Sequence, residues 1–460
     1  MSSMAPAREA GIAVTDTLVE RALSLDRGDL PEGVTTLARQ CLLDLLGVTL
    51  AGHTDPLPRM MLADLEAEGA RGTATVIGSG EQIASRQAAL VNGCAAHALD
   101  FDDVNLFISG HPSAVILPAL FALGEELDAS GADLFLAFVA GYELACRVGV
   151  LVEPGHYLRG YHATSTVGVI GSAMACARLL ELDSTQARHA VGIAATQAAG
   201  LKSMFGTPCK PLHAGLAARN GMEAAKWAQR GLTSRTDSLE CIQGFARTLS
   251  PDFHPQQALA DRQRFFLRDN LFKYHAACYG THSAIECAAQ LRHEHRLSGK
   301  DIEAVLIRVE KGADATCNIA VPQTSSEAKF SLRFAAALAL LGLDTADLEN
   351  YSERTLRLPE VVRLRERTSV ELMEGWTLME TEVEVTCRDG RRLAVRLDAG
   401  QPNTDIAAQG ARLAAKFATL TKPVLGADGS ERLEQAVESI ESIPVRELLR
   451  LCRSPMRSKA

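Results

Sequence analysis

The sequence predicts a mainly α-helical protein, in which a large helical domain built from both chain ends carries an inserted, smaller α+β lid domain. Two patterns predict this arrangement. Apolar residues return every three or four positions over residues 15–231 and again from residue 405, which is typical of packed amphipathic helices. Between these segments several short stretches alternate with a period of two, as β-strands do. The predicted boundaries are 1–267 and 404–460 for the helical domain and 268–403 for the lid.

Two elements of the helical part have distinct signatures. Residues 73–80 carry β-branched side chains and end in glycines, which predicts a strand or small hairpin. Residues 168–177 place a small side chain at nearly every turn, so that a neighbouring helix can approach closely. The second segment is therefore expected to be a buried, central helix.

The lid is predicted from three strands and one helix. Residues 302–310 read as a strand, and residues 382–388 and 391–397 alternate on either side of Asp389-Gly390, which predicts a β-hairpin with a type I′ turn. Residues 326–341 have the period of one continuous helix.

The composition is that of a globular protein with a large core. The chain has 460 residues, of which 47% are hydrophobic and 22% are charged. Its 47 Lys and Arg against 56 Asp and Glu give a net charge of −9, without a long basic block, so nucleic acid is not an expected partner. The 11 Cys occur singly, which indicates reduced and mostly buried thiols.

The sequence predicts a cytoplasmic protein. Residues 1–11 have one Arg and no continuous apolar segment, unlike a secretory signal. Apolar stretches are interrupted by Glu143 and Arg178, which leaves them below the ~18 residues of a membrane helix. No membrane partner is therefore expected.

Acidic and imidazole side chains gather where one helical pattern ends. His97, Asp100, Asp102 and Asp103 are followed by His111 in the next loop. Loops on rigid helices often carry functional residues, although a helix cap and a core His would explain individual members. Together the five indicate a site for acid–base chemistry.

Other chemistries lack their usual motifs. An isoprenoid synthase needs a third Asp where Leu106 stands, and no H-E-x-x-H or paired Cys/His spacing indicates a metal. Glycine-rich nucleotide motifs and G-x-S-x-G are also missing from the sequence. The chemistry that these exclusions leave open is acid–base catalysis on a small polycarboxylate.

Two further segments could bind an anion. His162 follows Tyr161 and precedes three hydroxyl residues, which could cap the next helix. The N–H groups at the start of that helix could then bind a carboxylate beside His162. The alternative is that His162 is a buried structural residue. Lys210 lies between Pro208 and Pro211, which predicts an extended, stiff loop that holds the Lys210 ammonium in place. The alternative is a solvated Lys in an ordinary turn.

The last candidate segment is residues 271–282, at the predicted junction of the two domains, where ligand sites often lie. It contains Lys273, Cys278 and His282. Cys278 as a nucleophile is less favoured than Cys278 as a small core residue.

Six motifs follow one another along the chain: HALDFDD at 97–103, GHPS at 110–113, GYHATSTVG at 160–168, KPLHAG at 210–215, ARNG at 218–221 and EAKFS at 327–331. Taken together, these motifs resemble the MmgE/PrpD family over nearly the whole chain. The resemblance implies the two-domain fold predicted above, a homodimer, a site between the domains and no metal or organic cofactor. It also implies loss of an acidic proton or of carbon dioxide next to a carboxylate, through an enolate-like intermediate.

The same resemblance assigns roles to individual positions. His111 and His162 are expected to transfer protons, Asp100 to orient an imidazole or tune its pKa, and Lys210 and Lys273 to hold carboxylates. Further candidates for substrate binding are Tyr161, Cys278 and His282.

A dehydratase of the 2-methylcitrate type is the reaction that the sequence favours. An epimerase of the iminodisuccinate type is the alternative. Decarboxylation of cis-aconitate is less favoured, because Val104, Cys278 and Thr316 differ from the residues of the family's decarboxylases. An inactive helical binding or scaffold protein is the non-enzymatic alternative.

Overall fold

The computed structural model describes residues 12–453; residues 1–11, in which the sequence predicts no secretory signal, lie outside this range. The helical part begins with thirteen helices and one short hairpin, β1 (Ala74–Thr75) with β2 (Gln82–Ile83), as predicted for residues 73–80. The helices are α1 (Val14–Leu23), α2 (Glu32–Gly52), α3 (Pro56–Ala67), α4 (Ser85–Ala98), α5 (Ser113–Leu127), α6 (Gly131–Val152), α7 (Gly155–Leu158), α8 (Ala163–Thr166), α9 (Gly168–Leu179), α10 (Ser184–Ala195), α11 (Cys209–Gln229), α12 (Phe245–Leu249) and α13 (Pro255–Leu259).

Glycines let the central helices approach closely. A Cβ on Gly171 of α9 would lie 3.0 Å from the carbonyl oxygen of Gly141 on α6, and a Cβ on Gly93 of α4 would lie 2.7 Å from the Cα of Gly215 on α11. The buried central helix predicted for residues 168–177 is confirmed as α9. The crossing of α4 and α11 brings the residues just after α4 near the first turn of α11.

The smaller part is built around a four-stranded sheet, which we call the sheet unit (residues 282–398). Its order is β4-β3-β5-β6, with β4 parallel to β3 and the other pairs antiparallel. Alternate residues of β5 are buried, and Val305, Val383 and Leu340 belong to an apolar cluster of their own. The elements are α14 (His282–His295), β3 (Ile302–Glu310), α15 (Asp314–Cys317), α16 (Ser325–Ala328), α17 (Leu332–Leu341), α18 (Glu353–Leu356), α19 (Pro359–Glu366), β4 (Thr368–Met373), β5 (Glu380–Cys387) and β6 (Arg392–Asp398).

The chain then returns to the helical part. Helices α20 (Ile406–Glu438) and α21 (Val445–Leu451) follow the sheet unit, and α20 is kinked at Gly426. The Phe417 ring of α20 packs against Gly47 of α2, so that residues from both ends of the chain share one core. The mainly α fold with a small α+β part is confirmed, whereas the domain boundaries at 267 and 403 stay predictions.

Two local predictions for the sheet unit are wrong. Residues 326–341 do not form one helix, because Ser331 caps α17 by accepting a hydrogen bond from the N–H of Phe334, and residues 329–331 separate α16 from α17. The hairpin turn is not type I′: Gly390 donates to the carbonyl of Cys387 and has φ 88°, whereas neither central residue has a positive φ. This is a type I turn followed by a left-handed Gly.

Helices α2 and α6 are long and apolar enough, by length and composition, to cross a membrane. Their most apolar windows are 72% and 89% buried in the fold, as in the core helices of many proteins. The expectation that Glu143 interrupts an apolar stretch is wrong for α6. The helix continues through Glu143, which is buried and whose carboxylate accepts the N–H groups of Phe266 and Leu267 at 2.9 Å.

Candidate active site

The candidate site is centred on Asp100, immediately after α4. Its Oδ1 accepts a hydrogen bond from Lys210 Nζ at 2.5 Å and lies 3.1 Å from Lys273 Nζ and 3.8 Å from His111 Nε2. Burial acts to raise the pKa of this carboxyl, but the charges of the two lysines outweigh burial and hold the pKa well below its usual range. We call Asp100, Asp102, His97, His111 and Lys210 the Asp100 cluster.

Asp102 orients the two imidazoles of the cluster. Its carboxylate lies 3.0 Å from His97 Nδ1 and 3.2 Å from His111 Nδ1. With a proton on each Nδ1, both Nε2 atoms are free to accept one. Burial lowers the pKa of His97 to about 4, despite the raising effect of Asp102, so this ring is neutral at physiological pH. The orienting role that the sequence assigned to Asp100 therefore falls to Asp102.

His162 joins the cluster from the start of α8. Its ring stacks on His97 with the centroids 5.7 Å apart, and its Nδ1 lies 3.0 Å from Nδ1 of His213. Burial, followed by the nearby His97 and Lys210, lowers the pKa of His162 well below its usual value. His162 is therefore a neutral imidazole.

The hydroxyl residues after His162 do not cap a helix, contrary to the sequence prediction. No side chain caps α8 or α9; instead Thr164 Oγ1 accepts the N–H of His111 at 3.2 Å. Ser165 donates to the carbonyl of His213, and Thr166 contacts His156. These hydroxyls join the loop of His111 to α8 and α11 and so help to fix the site.

Lys210 lies within a helix rather than on an extended loop. It is the second residue of α11, with Pro208 at the cap and Pro211 in the first turn. The prediction is wrong because N–H groups of a first helical turn have no intrahelical acceptor, so proline is tolerated there. The helix itself positions Lys210, which is 6% exposed.

The other predicted binding residues have mixed locations. Lys273 is 1% exposed and contacts Asp100, whereas Tyr161 stacks on His156 at 4.6 Å and His282 packs on Tyr279 at 4.7 Å. Cys278 joins the junction through its N–H, which donates to the carbonyl of Lys329. The structure thus unites Asp100, His111, His162, Lys210 and Lys273, and it places Tyr161 and His282 in aromatic stacks.

Two further groups near Lys273 have shifted pKa values. Burial raises the pKa of the Tyr157 phenol, with Thr316 acting in the opposite direction. A hydrogen bond from Cys317 lowers the pKa of the Cys278 thiol, which also feels Asp100 and Lys273. Thr316 itself donates to the carbonyl of Gly312 at 3.1 Å.

Four buried polar atoms of the Asp100 cluster and His162 have no hydrogen-bond partner within residues 12–453. They are Nε2 of His97, Nδ1 of His111, Nε2 of His162 and Oδ2 of Asp100, although Nδ1 of His111 lies 3.2 Å from the Asp102 carboxylate. Buried polar groups are nearly always paired, and unpaired ones mark candidate ligand positions. Two imidazole acceptors and a carboxylate beside ammonium groups can bind an anionic acid and move its protons.

By distance alone, His97, Asp100, Asp102 and His111 could hold a metal ion, since one ligand atom from each lies within 4.8 Å of the others. Both Nδ1 atoms, however, face Asp102, and Asp100 contacts two ammonium groups. A divalent cation at Asp100 would be repelled by these lysines. The donor set fits a hydrogen-bond network better than a metal site.

Asp103 provides a test of the electrostatics beside the cluster. It accepts a hydrogen bond from Ser113 at 2.6 Å, and burial raises its pKa to about 7. The unfolded chain, with an Asp pKa of ~3.9, binds fewer protons than the folded protein between pH 4 and 7. The free energy of unfolding therefore falls as pH rises through this window.

Substitution of Asp103 by Asn should remove this pH dependence. We expect the Tm of Asp103→Asn, relative to the original protein, to increase by about 2 °C or more between pH 5 and pH 8. Thermal unfolding at both pH values measures it, with the exposed Asp428→Asn as control. An unchanged Tm difference would show that Asp103 is ionised over the whole range.

Three residues that contact the site were not predicted from the sequence: His213, Lys329 and Lys416. His213 and Lys329 lie inside the motifs KPLHAG and EAKFS, so the motifs could have indicated them. Lys416 of α20 lies outside every motif. Lys329 donates to the carbonyl of Leu99, and Lys416 to the carbonyl of Phe101.

Comparisons with known proteins agree with the motifs. Family models described as the MmgE/PrpD N-terminal and C-terminal domains match residues 16–258 and 275–442. The cis-aconitate decarboxylase of Homo sapiens is 29% identical over 453 residues, covering 94% of this chain and 92% of the relative. The mouse enzyme of that name is 28% identical, covering 94% and 91%, and that of Aspergillus terreus is 25% identical, covering 97% of each chain.

Proposed function

The chain belongs to the MmgE/PrpD family, and from this premise we propose that it is a lyase for a small di- or tricarboxylate, working by acid–base chemistry without a cofactor. The observation that carries the proposal is the Asp100 cluster. Unpartnered imidazole nitrogens lie there beside two lysines that share one carboxylate.

The charges favour an anionic substrate. Lys210, Lys273 and the nearby Lys329 bring three ammonium groups, against the two carboxylates of Asp100 and Asp102. The imidazoles of His97 and His162 are neutral and add no charge, so these groups together carry a net positive charge. Exchange of the contact with Asp100 for a contact with substrate would let Lys210 hold a carboxylate.

The proposed chemistry starts from His111. With its Nδ1–H directed at Asp102, its Nε2 can take the proton on the carbon next to a carboxylate. The electron pair moves onto the carboxylate oxygens, which Lys210 stabilises as an ammonium. In a dehydration, hydroxide then leaves and takes a proton to form water. A decarboxylation begins without this deprotonation: the bond to the leaving carboxylate breaks, carbon dioxide departs, the bonding electron pair stays on the substrate as an enolate-like carbanion, and this carbanion takes one proton from an acid of the site.

Between these reactions, the relatives favour decarboxylation of a cis-aconitate-type acid, since proteins of that name align with at least 94% of this chain. Dehydration of a 2-methylcitrate-type acid is the second candidate, because Cys278, Val104 and Thr316 differ from the decarboxylase pattern. Epimerisation requires the same deprotonation and is the third outcome of the test.

Proton NMR in deuterium oxide tests the proposal. The enzyme would be incubated, after treatment with EDTA, with cis-aconitate, citrate, 2-methylcitrate, iminodisuccinate and simple 2-hydroxy diacids. We expect methylene-succinate signals from cis-aconitate. A vinylic product from 2-methylcitrate would instead identify a dehydratase, and loss of an α-proton signal without a new product would identify an epimerase.

A different result with the same panel of acids would favour the non-enzymatic alternative. Calorimetric binding of a polycarboxylate, without exchange or turnover of any acid in the panel, would contradict the lyase proposal and favour a binding protein. His162→Ala and Lys210→Ala provide the link to the site, because intact turnover in both folded variants would place the chemistry elsewhere.

A further inference from the structure

Three consecutive backbone carbonyls at the site each accept a hydrogen bond from a different lysine. Lys329 Nζ donates to Leu99 O, Lys273 Nζ to Asp100 O and Lys416 Nζ to Phe101 O, each at 2.7 Å. Lys273 and Lys416 are buried and Lys329 is partly buried. We call residues 99–101 the clamped turn.

The lysines reach this turn from three separate parts of the chain. Lys273 precedes α14, Lys329 lies between α16 and α17, and Lys416 lies on α20. The carbonyls at 99–101 follow the C-terminus of α4, where the helix leaves acceptors unpaired and its dipole favours cations. Position and charge thus favour the three contacts.

The clamped turn needs external support because Asp100 has φ 52°, in the left-handed region. Residues other than Gly occupy this region rarely and persist there when the surroundings determine the conformation. The same residue carries the carboxylate that faces Lys210 and His111. A change in its backbone would therefore displace the central acid of the site.

Lys329 lies between α16 and α17, where the single helix predicted for residues 326–341 is interrupted. There its backbone carbonyl accepts the N–H of Cys278 at 2.9 Å, and its side chain donates to the carbonyl of Leu99. Within residues 12–453 it has no carboxylate in ion-pair contact. An ammonium group withdrawn from water without a carboxylate partner reduces stability, so stability alone does not explain this Lys.

Lys416 supports the turn from the opposite side. Besides Phe101, its Nζ contacts Asp44 at 2.6 Å and the carbonyl of Lys273 at 2.9 Å. One ammonium group therefore fixes both the clamped turn and the backbone of Lys273, which itself binds Asp100. Removal of Lys416 would loosen two supports of the same carboxylate.

We propose that Lys329 and Lys416 are positioning residues, which hold the clamped turn so that the Asp100 carboxylate lies between Lys210 and His111. The catalytic effect of this placement rests on the proposed function. The placement itself rests only on the three hydrogen bonds to the clamped turn. Misplacement of a reacting group by about 1 Å can lower a rate ~100-fold.

Steady-state kinetics of Lys329→Met, Lys329→Gln and Lys416→Met test the proposal, with Lys226→Met as control. Lys226 pairs with Glu126 at 2.7 Å, on α11 but away from the cluster. We expect kcat of both Met variants to fall ~10- to 100-fold with KM within about threefold, and Lys329→Gln, which keeps a donor, to be intermediate. Unchanged kcat in folded Lys329→Met would overturn the assignment.

A crystal structure of Lys329→Met separates this inference from the proposed reaction. We expect Asp100 to leave the left-handed region, or its carboxylate to move by about 1 Å relative to His111. An unmoved Asp100 would contradict the inference, whatever the activity. If Lys329→Met does not fold, the structure of Lys416→Met tests the inference by the same criterion. A wild-type protein that is inactive on every acid would contradict only the proposed function.

A stability measurement checks the buried charge of Lys329. Burial lowers its pKa to about 8, with Asp100 and Asp55 opposing the shift and Lys273 and Lys210 adding to it. Between pH 8 and the ~10.4 of a free Lys, the unfolded chain binds more protons, so the free energy of unfolding rises with pH. The Tm of Lys329→Met relative to the original protein should therefore decline from pH 7 to pH 10.

Discussion

Substitution of Lys210 by Met is expected to lower kcat/KM by ~100- to 1000-fold on the acid that the NMR panel identifies. Lys210 donates to Asp100 at 2.5 Å and is the cation best placed to stabilise a developing enolate oxygen. Methionine has a similar length and no charge, so the variant keeps most of the packing against Phe205 and Phe330. Steady-state kinetics and Tm, measured together, separate catalysis from folding.

Two further variants make this result specific. Lys226→Met removes a paired lysine from the same helix and should retain full activity. Lys210→Arg keeps the positive charge but changes its geometry, so its activity should lie between those of the original protein and Lys210→Met. If folded Lys210→Met turns over substrate within threefold of the original rate, Lys210 does not stabilise the intermediate.

Substitution of His111 by Gln is expected to lower kcat ~100- to 10,000-fold, because it removes the proposed base. Nδ1 of His111 lies 3.2 Å from the Asp102 carboxylate, and its backbone N–H donates to the hydroxyl of Thr164. The glutamine amide can donate to Asp102 and cannot take a proton at neutral pH. The measurement is single-turnover product formation, followed together with hydrogen–deuterium exchange at the substrate carbon.

Loss of exchange is the decisive part of this prediction. In a dehydration or epimerisation, where His111 removes the carbon-bound proton, both exchange and product formation should fall by the same factor in His111→Gln. In a decarboxylation, product formation alone should fall. His293→Gln, an exposed position on α14, serves as the matched control. In a dehydration or epimerisation, normal exchange with slow product formation would instead assign His111 to the later proton transfer, and His162 would become the candidate base.

Local patterns were sufficient for much of the fold. The buried helix at 168–177, the strand at 302–310 and the hairpin around Gly390 follow from residue spacing, because the spacing of apolar side chains reflects which backbone periodicity buries them. The same reasoning failed at Lys210 and at residues 329–331. In both places the same pattern of apolar residues fits a helix and a non-helical segment. The point at which the helix begins is determined by a capping residue or by prolines.

The site shows a similar division. Asp100, His111, His162 and Lys210 were named from motifs, and the structure brings them together. The exchange of roles between Asp100 and Asp102 was not visible, since it depends on a left-handed backbone at Asp100 that turns its carboxylate toward the lysines. Neighbouring acids in a sequence carry no information about which one faces an imidazole.

The sequence alone determined the chemistry that is present: a mainly helical chain, family motifs in order, and a set of imidazoles, acids and lysines suited to an anionic substrate. The tertiary structure decided how these groups pair. Lys329 and Lys416 reach the clamped turn across 230 and 315 residues of chain. Periodicity describes the local backbone, whereas such pairs depend on how helices cross and on where the sheet unit meets them, so only the folded chain defines the site.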